Sequence, residues 1–235
     1  MSEIHPYQEL RELAPGLYGM DGRWKKSPLG RRMTVIRSAS GELAIHSAIR
    51  LSAADYARIF EPLGRVSLIL VPSALHGDEA RFYAQRYPDA AVLVPAPVRE
   101  TCAAKLPRID GTYTDGLPPA WARELEVLQV EGTKMGEAIF LHRPSRTIIV
   151  TDLVIHFTDE LTGFSRALME WNGAVRRVGP TRIFRWFFLR DREALVRSLQ
   201  PVRGWDFDRI VMSHGTIVER DGKRRFLEGF LDTAL

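Results

Sequence analysis

The chain has 235 residues, 45% of them hydrophobic, a formal net charge of +4 and a pI near 9.4. That apolar fraction and the lack of any low-complexity run exclude a disordered chain; the single cysteine, Cys102, excludes an internal disulfide and a thiolate zinc cluster. The mild basicity invites an acidic partner, but Arg31-Arg32, Arg176-Arg177 and Arg224-Arg225 are scattered without an aromatic-interleaved motif, so they read as solvated surface and no nucleic-acid partner is expected.

Met1–Leu10 carries Glu3 and Glu9 and no apolar run resembling a signal peptide. The longest apolar stretches, such as Val66–Pro72, are strand-sized. The expectation is a cytoplasmic chain with no membrane span. Gly16–Met20, Arg32–Arg37 and Glu42–Ile49 read as strands, the last two joined through Ser38-Ala39-Ser40-Gly41 as a hairpin. Ser52 is a helix N-cap, with Tyr56, Ile59, Phe60 and Leu63 at helical spacing and Gly64 at the C-cap position. Val66–Val71 is a buried-type strand, followed by a helix from about Asp78 to Arg86 and the strand Ala91–Val94; this implies parallel pairing with a right-handed crossover.

Pro95 to Pro119, with Pro97, Pro107 and Pro118 between them, reads as a long surface connection. Leu125–Val130, Glu137–His142 and Thr147–Thr151 follow as strands, the last pair turning through Arg143-Pro144-Ser145-Arg146. Asp159 to Leu199 reads as helix in pieces broken at Gly179-Pro180, with Asp191 capping the last. Arg209–Ser213 is a final strand and Gly222–Leu235 a closing helix. Two β-rich halves, each ending in helix, fit two sheets between outer helices in one domain.

Acidic or imidazole side chains follow a buried strand in three places: His76, Asp78 and Glu79 after Val71; Asp152 after Ile148-Ile149-Val150-Thr151; and His214 after Ile210-Val211-Met212-Ser213. Strand C-terminal ends are where α/β proteins gather functional groups, and Asp, Glu and His together form a ligand set for a divalent metal such as Zn, Mn or Fe.

The order of these segments resembles the metallo-β-lactamase superfamily, in which a strand runs into His-x-His-x-Asp-His, a later hairpin ends in a bridging Asp, and a last strand ends in His followed by Gly. Leu43–Ser47, Phe140–Thr147 and Thr151-Asp152-Leu153 are similar to a divergent branch known only as a domain of unknown function, with His142-Arg143-Pro144-Ser145-Arg146 its most specific phrase. The resemblance implies an α/β fold, a four-layer αββα sandwich, spanning residues 1–235.

Against the motif this chain reads Ala74-Leu75-His76-Gly77-Asp78-Glu79, and no His stands near Thr133-Lys134, where the family has its next ligand. The resemblance therefore implies at most one metal, with His76, Asp78, Glu79, Asp152 and His214 as ligands. Asp78 or Glu79 is the general base if not ligating, and His46 orients a ligand or replaces a lost one. The implied function is a metal-dependent hydrolase acting on a small-molecule substrate; the alternative is a metal-free pseudoenzyme or binding module on the same fold. Each residue also has a plainer reading: Asp78 and Glu79 as helix-start acids, and His142 as a packed strand histidine. Ile183–Leu189 is read as a core helix, with contact to a membrane or a partner as the rarer alternative.

Overall fold

A computed structural model describes residues 4–24, 27–158 and 160–232. The expected helix start at Asp159 and the last residues of the closing helix, 233–235, lie outside them. The chain divides into two units, residues 1–124 and 125–235.

The first unit begins with β1 (Arg11–Ala14), β2 (Leu17–Trp24), β3 (Ser27–Arg37) and β4 (Glu42–His46), an antiparallel meander. The expected hairpin is β3–β4, in register Thr34↔His46 through Arg37↔Leu43. After α1 (Ala53–Phe60), pairing switches to parallel through β5 (Arg65–Leu70), β6 (Ala91–Val94) and β7 (Gly111–Thr112), with α2 (Ala80–Arg86) crossing between β5 and β6. The sheet has seven strands in sequential order.

Local chemistry explains these boundaries. Ser52 Oγ accepts from the Asp55 backbone N–H (3.2 Å) and starts α1, as its sequence position requires. Gly64 closes the end of α1 as expected, its N–H donating to the Phe60 carbonyl (2.9 Å), and a glycine is needed there for a further reason. At φ +149° it passes so close to the turn of the β3–β4 hairpin that a Cβ would stand 1.9 Å from the Gly41 carbonyl oxygen. Tyr56 and Phe60 of α1 pack edge-on against Tyr83 of α2, whose hydroxyl donates to the Ile49 carbonyl (2.8 Å), over Val35, Ile45, Ile69 and Val92 of the sheet.

The expected long connection after Pro95 is instead a chain of short elements: a 3-10 turn at Ala96–Val98, α3 (Arg99–Ala103), β7, and α4 (Pro119–Ala122). Pro95 and Pro97 begin the first of these turns and Pro118 and Pro119 begin α4, because proline's missing N–H costs nothing in a first helical turn. Tyr113 anchors the segment by donating to the Val71 carbonyl (2.8 Å).

The second unit holds β8 (Leu125–Gln129), β9 (Ala138–His142), β10 (Thr147–Val150), α5 (Gly163–Asn172), α6 (Arg192–Leu199), β11 (Arg209–Met212) and α7 (Gly222–Phe230). Its sheet order is β11-β10-β9-β8, with β10 and β11 parallel and the rest antiparallel. One face carries Ile139, Leu141, Ile148, Val150 and Ile210, covered by Leu195 and Leu199 of α6 and the stacked Phe226 and Phe230 of α7. Each such buried side chain contributes about 1.5–3 kcal/mol. Asp191 caps α6 as expected, accepting from Ala194 N–H at 2.9 Å.

The core-helix reading of Ile183–Leu189 is corrected. Residues Phe184–Phe188 form a π-turn, closed by Leu189 N–H donating to the Phe184 carbonyl (3.0 Å); it buries Phe184 but leaves Trp186 and Phe187 exposed. No helix among the described residues is long and apolar enough to cross a membrane.

Candidate metal centre

Register brings the acidic and imidazole residues of the second unit together. Because Val150 pairs with Met212 in the parallel β10–β11 ladder, Asp152 and His214 stand at matching places, each two residues beyond its strand. His214 Nε2 lies 3.4 Å from Asp152 Oδ1, with the two side chains 11% and 16% exposed.

Three features fix this pair. Glu137, fully buried just before β9, accepts from the backbone N–H groups of Thr151 (2.6 Å), Asp152 (3.1 Å) and Leu153 (2.8 Å), so one carboxylate holds the loop that presents Asp152. Burial, and next the neighbouring Asp152 charge, push the Glu137 carboxyl up to about 8, while the Thr151 and Leu153 hydrogen bonds pull the other way. Gly215, at φ +94°, lets the chain after His214 pass against residue 156; a Cβ there would sit 2.0 Å from the His156 carbonyl oxygen. That approach is the physical reason for a glycine after the histidine. His156 itself is bracketed by the Thr216 carbonyl at Nδ1 (3.0 Å) and Arg225 Nη2 at Nε2 (3.0 Å), so it acts in holding this corner. Burial lowers its pKa.

In the first unit, His76 is buried, with Nδ1 2.8 Å from Ser47 Oγ, and Arg31 donates to its backbone carbonyl (3.2 Å) and lies 3.4 Å from Ser47 Oγ. The contact to His76 thus comes from Ser47, in a left-handed conformation (φ 54°), next to the His46 singled out from sequence. His46 is wholly buried; burial first, then the His76 and Arg31 charges, bring its pKa down to about 3, which keeps it neutral. Asp78 is held by Lys105, Oδ1 to Nζ 2.8 Å, and that ammonium also donates to the Ala74 carbonyl. Glu79 Oε2 accepts from the Arg50 backbone N–H (2.8 Å) and precedes α2 without a side-chain cap. Both carboxylates therefore have partners within their own unit. Ser47, Arg31 and Glu137 were not found by sequence reasoning. An apolar-flanked Glu at the start of a strand was the available signal for Glu137.

The phrase His142-Arg143-Pro144-Ser145-Arg146 is a hairpin device. His142 Nδ1 lies 2.7 Å from Ser145 Oγ, which donates to Thr147 Oγ1 (2.9 Å), which donates in turn to the Ser145 carbonyl (3.0 Å). With the serine proton committed, His142 is the donor at Nδ1. Arg143 pairs with Glu126 and Arg146 with Asp206, bracing the turn on both sides.

The donor set of the second unit fits a metal. Zinc-type bonds to N and O of about 2.0–2.2 Å in tetrahedral array put neighbouring ligand atoms about 3.3 Å apart, close to the 3.4 Å between Asp152 and His214.

No protein-family model matches the chain, and no curated protein matches it. Solved structures do. A metallo-β-lactamase from Erythrobacter litoralis aligns with TM-score 0.63 at 12% identity over 95% of this chain and 96% of that one. The mono-zinc form of the metallo-β-lactamase FIM-1 from Pseudomonas aeruginosa aligns at 0.59 and 10% identity, covering 94% and 93%. A metal-soaked Flv1 flavodiiron core from Synechocystis sp. PCC6803 aligns at 0.63 and 11% identity, covering 98% of this chain and 61% of that one. At such identities the shared property is architecture: the chain has the metallo-β-lactamase fold.

Proposed function

We propose that this protein is a metal-dependent hydrolase built around one divalent ion, with Asp152 and His214 as its central ligands. The observation that carries this reading is their 3.4 Å separation at the ends of adjacent parallel strands, on a loop clamped by Glu137. Motif order, by resemblance, adds His76 as a third ligand. Its Nδ1 is engaged by Ser47, so Nε2 is the atom that would ligate. A mono-zinc form exists among the structures of similar fold, which supports a single ion as a workable state. The mixed carboxylate and imidazole donors suit Zn, Mn or Fe.

When bound, the ion supplies Lewis acidity toward a substrate oxygen and makes water nucleophilic near neutral pH. The chain's own residues do the positioning. Glu137 sets the direction of the Asp152 carboxylate, Gly215 permits the turn that presents His214, and Ser47 orients the His76 ring. Asp78 and Glu79 remain the proposed acid–base groups, and each would have to leave Lys105 or Arg50 to serve. Those same bonds, with Ala74 in place of the motif's first histidine, favour the second reading: a non-catalytic descendant that keeps the crevice for a small-molecule ligand.

The experiment is elemental analysis of protein purified without chelator, for wild type and for His76→Ala, Asp152→Ala and His214→Ala. About one equivalent of Zn, Mn or Fe in the wild type, lost in each variant while folding is preserved, supports the reading. No metal in the wild type after reconstitution would transfer it to the metal-free alternative.

A further inference from the structure

We propose that the second unit carries a face that docks on an anionic lipid bilayer, made by α5 and the π-turn Phe184–Phe188. Four of the six large hydrophobic side chains exposed among the described residues lie here: Phe164 (82%), Trp171 (48%), Trp186 (63%) and Phe187 (61%). Phe164, Leu168 and Trp171 recur at i, i+4 and i+7 along α5; the two aromatics stand exposed with Leu168 half-buried between them, while Met169 is buried. Trp171 and Trp186 meet edge-to-face at 5.6 Å. Asn172 Oδ1 accepts from the Ile183 N–H (2.9 Å), which ties the turn to the helix and makes the aromatics one surface.

Charge selects the occupant. The two segments that make the face, residues 163–172 and 181–192, hold five arginines and two acidic residues, a net +3, which is most of the +4 of the whole chain. Of the two acids, Glu170 is paired with Arg166, and Asp191 caps α6. Two copies meeting through this face would set like charges against each other. Base stacking is also poorly served, because Arg182 lies over the Trp171 ring (5.7 Å) and Trp186 meets it edge-on. Exposed Trp and Phe beside arginines match what a headgroup region accepts, with rings at the interface and guanidinium groups on lipid phosphates. The inference is independent of any metal.

The test is co-sedimentation of the full chain with phosphatidylcholine vesicles, with and without phosphatidylglycerol. Binding to the anionic vesicles is expected to be about tenfold or more tighter and to weaken with salt. Trp186→Ser/Phe187→Ser is expected to lose about tenfold. Arg182→Glu/Arg190→Glu, which leaves the aromatics in place, is expected to lose at least about fivefold per arginine replaced. Circular dichroism establishes that each variant is folded, and the arginine pair decides the matter should the aromatic pair not fold. Equal binding to both vesicle types, binding to neither, or binding unchanged in the folded variants would overturn the proposal. So would a dimer abolished by Trp186→Ser/Phe187→Ser, or tighter retention by a single-stranded oligonucleotide than by anionic vesicles.

Discussion

His142 is a buried base whose cost can be measured. It sits on β9 at 1% exposure, donates from Nδ1 to Ser145, and among the described residues its Nε2 has no hydrogen-bond partner. Burial brings its pKa from the ordinary 6.5 down to about 4. An imidazole with a folded pKa below its unfolded value is tolerated fully only while neutral. Its contribution is therefore intact above pH 6.5, is lost as pH falls from 6.5 to about 4, and is constant below that. The drop corresponds to ~3 kcal/mol, a large share of the 5–15 kcal/mol that holds a typical domain. His142→Leu keeps the volume and removes the titration. It also removes one neutral hydrogen bond, worth about 1 kcal/mol, together with a buried ring nitrogen that lacks a partner. At neutral pH the two proteins should therefore differ by only about 1 kcal/mol. Denaturant unfolding of both across the window should show wild type losing ~3 kcal/mol relative to His142→Leu on acidification. The subtraction cancels His46, His156 and the carboxylates. A stability gap that stays constant with pH, or a His142 imidazole titrating near 6.5 by NMR, would refute the reasoning.

Two other outcomes follow from the loop geometry. Gly215→Ala would press a methyl onto the His156 carbonyl from 2.0 Å, so it should cost several kcal/mol in denaturant unfolding or, with backbone adjustment, displace His214 and weaken metal retention at least tenfold. Glu137→Ala leaves three backbone N–H groups without their acceptor, the two buried ones (Thr151 and Leu153) at about 1–3 kcal/mol each, offset in part by removing a buried carboxylate. Because the folded Glu137 pKa is raised, metal-free wild type should lose stability as pH rises from about 4.5 toward 8, and the variant should lack that slope in pH-dependent melting.

Much of the architecture was legible in the sequence because its signals are short-range. Ser52 and Asp191 announce their helices through bonds three residues away, and the β3–β4 hairpin follows from apolar runs flanking a small-residue turn. The matched positions of Asp152 and His214 were also visible, as polar residues closing two apolar strands.

What the sequence did not determine depends on partners distant in the chain. Glu137 acts on residues 14 to 16 positions away, Ser47 on His76 at 29 positions, and Lys105 engages Asp78 from α3's end. No local pattern encodes such bonds, so the clamp on the loop after β10, the hydroxyl at His76 and the cation at Asp78 were invisible until the elements packed. Ile183–Leu189 shows the same limit from the apolar side. Hydrophobicity alone pointed to the core, but whether a side chain is buried is decided by what packs against it, and packing covers Phe184 while leaving Trp186 and Phe187 in water.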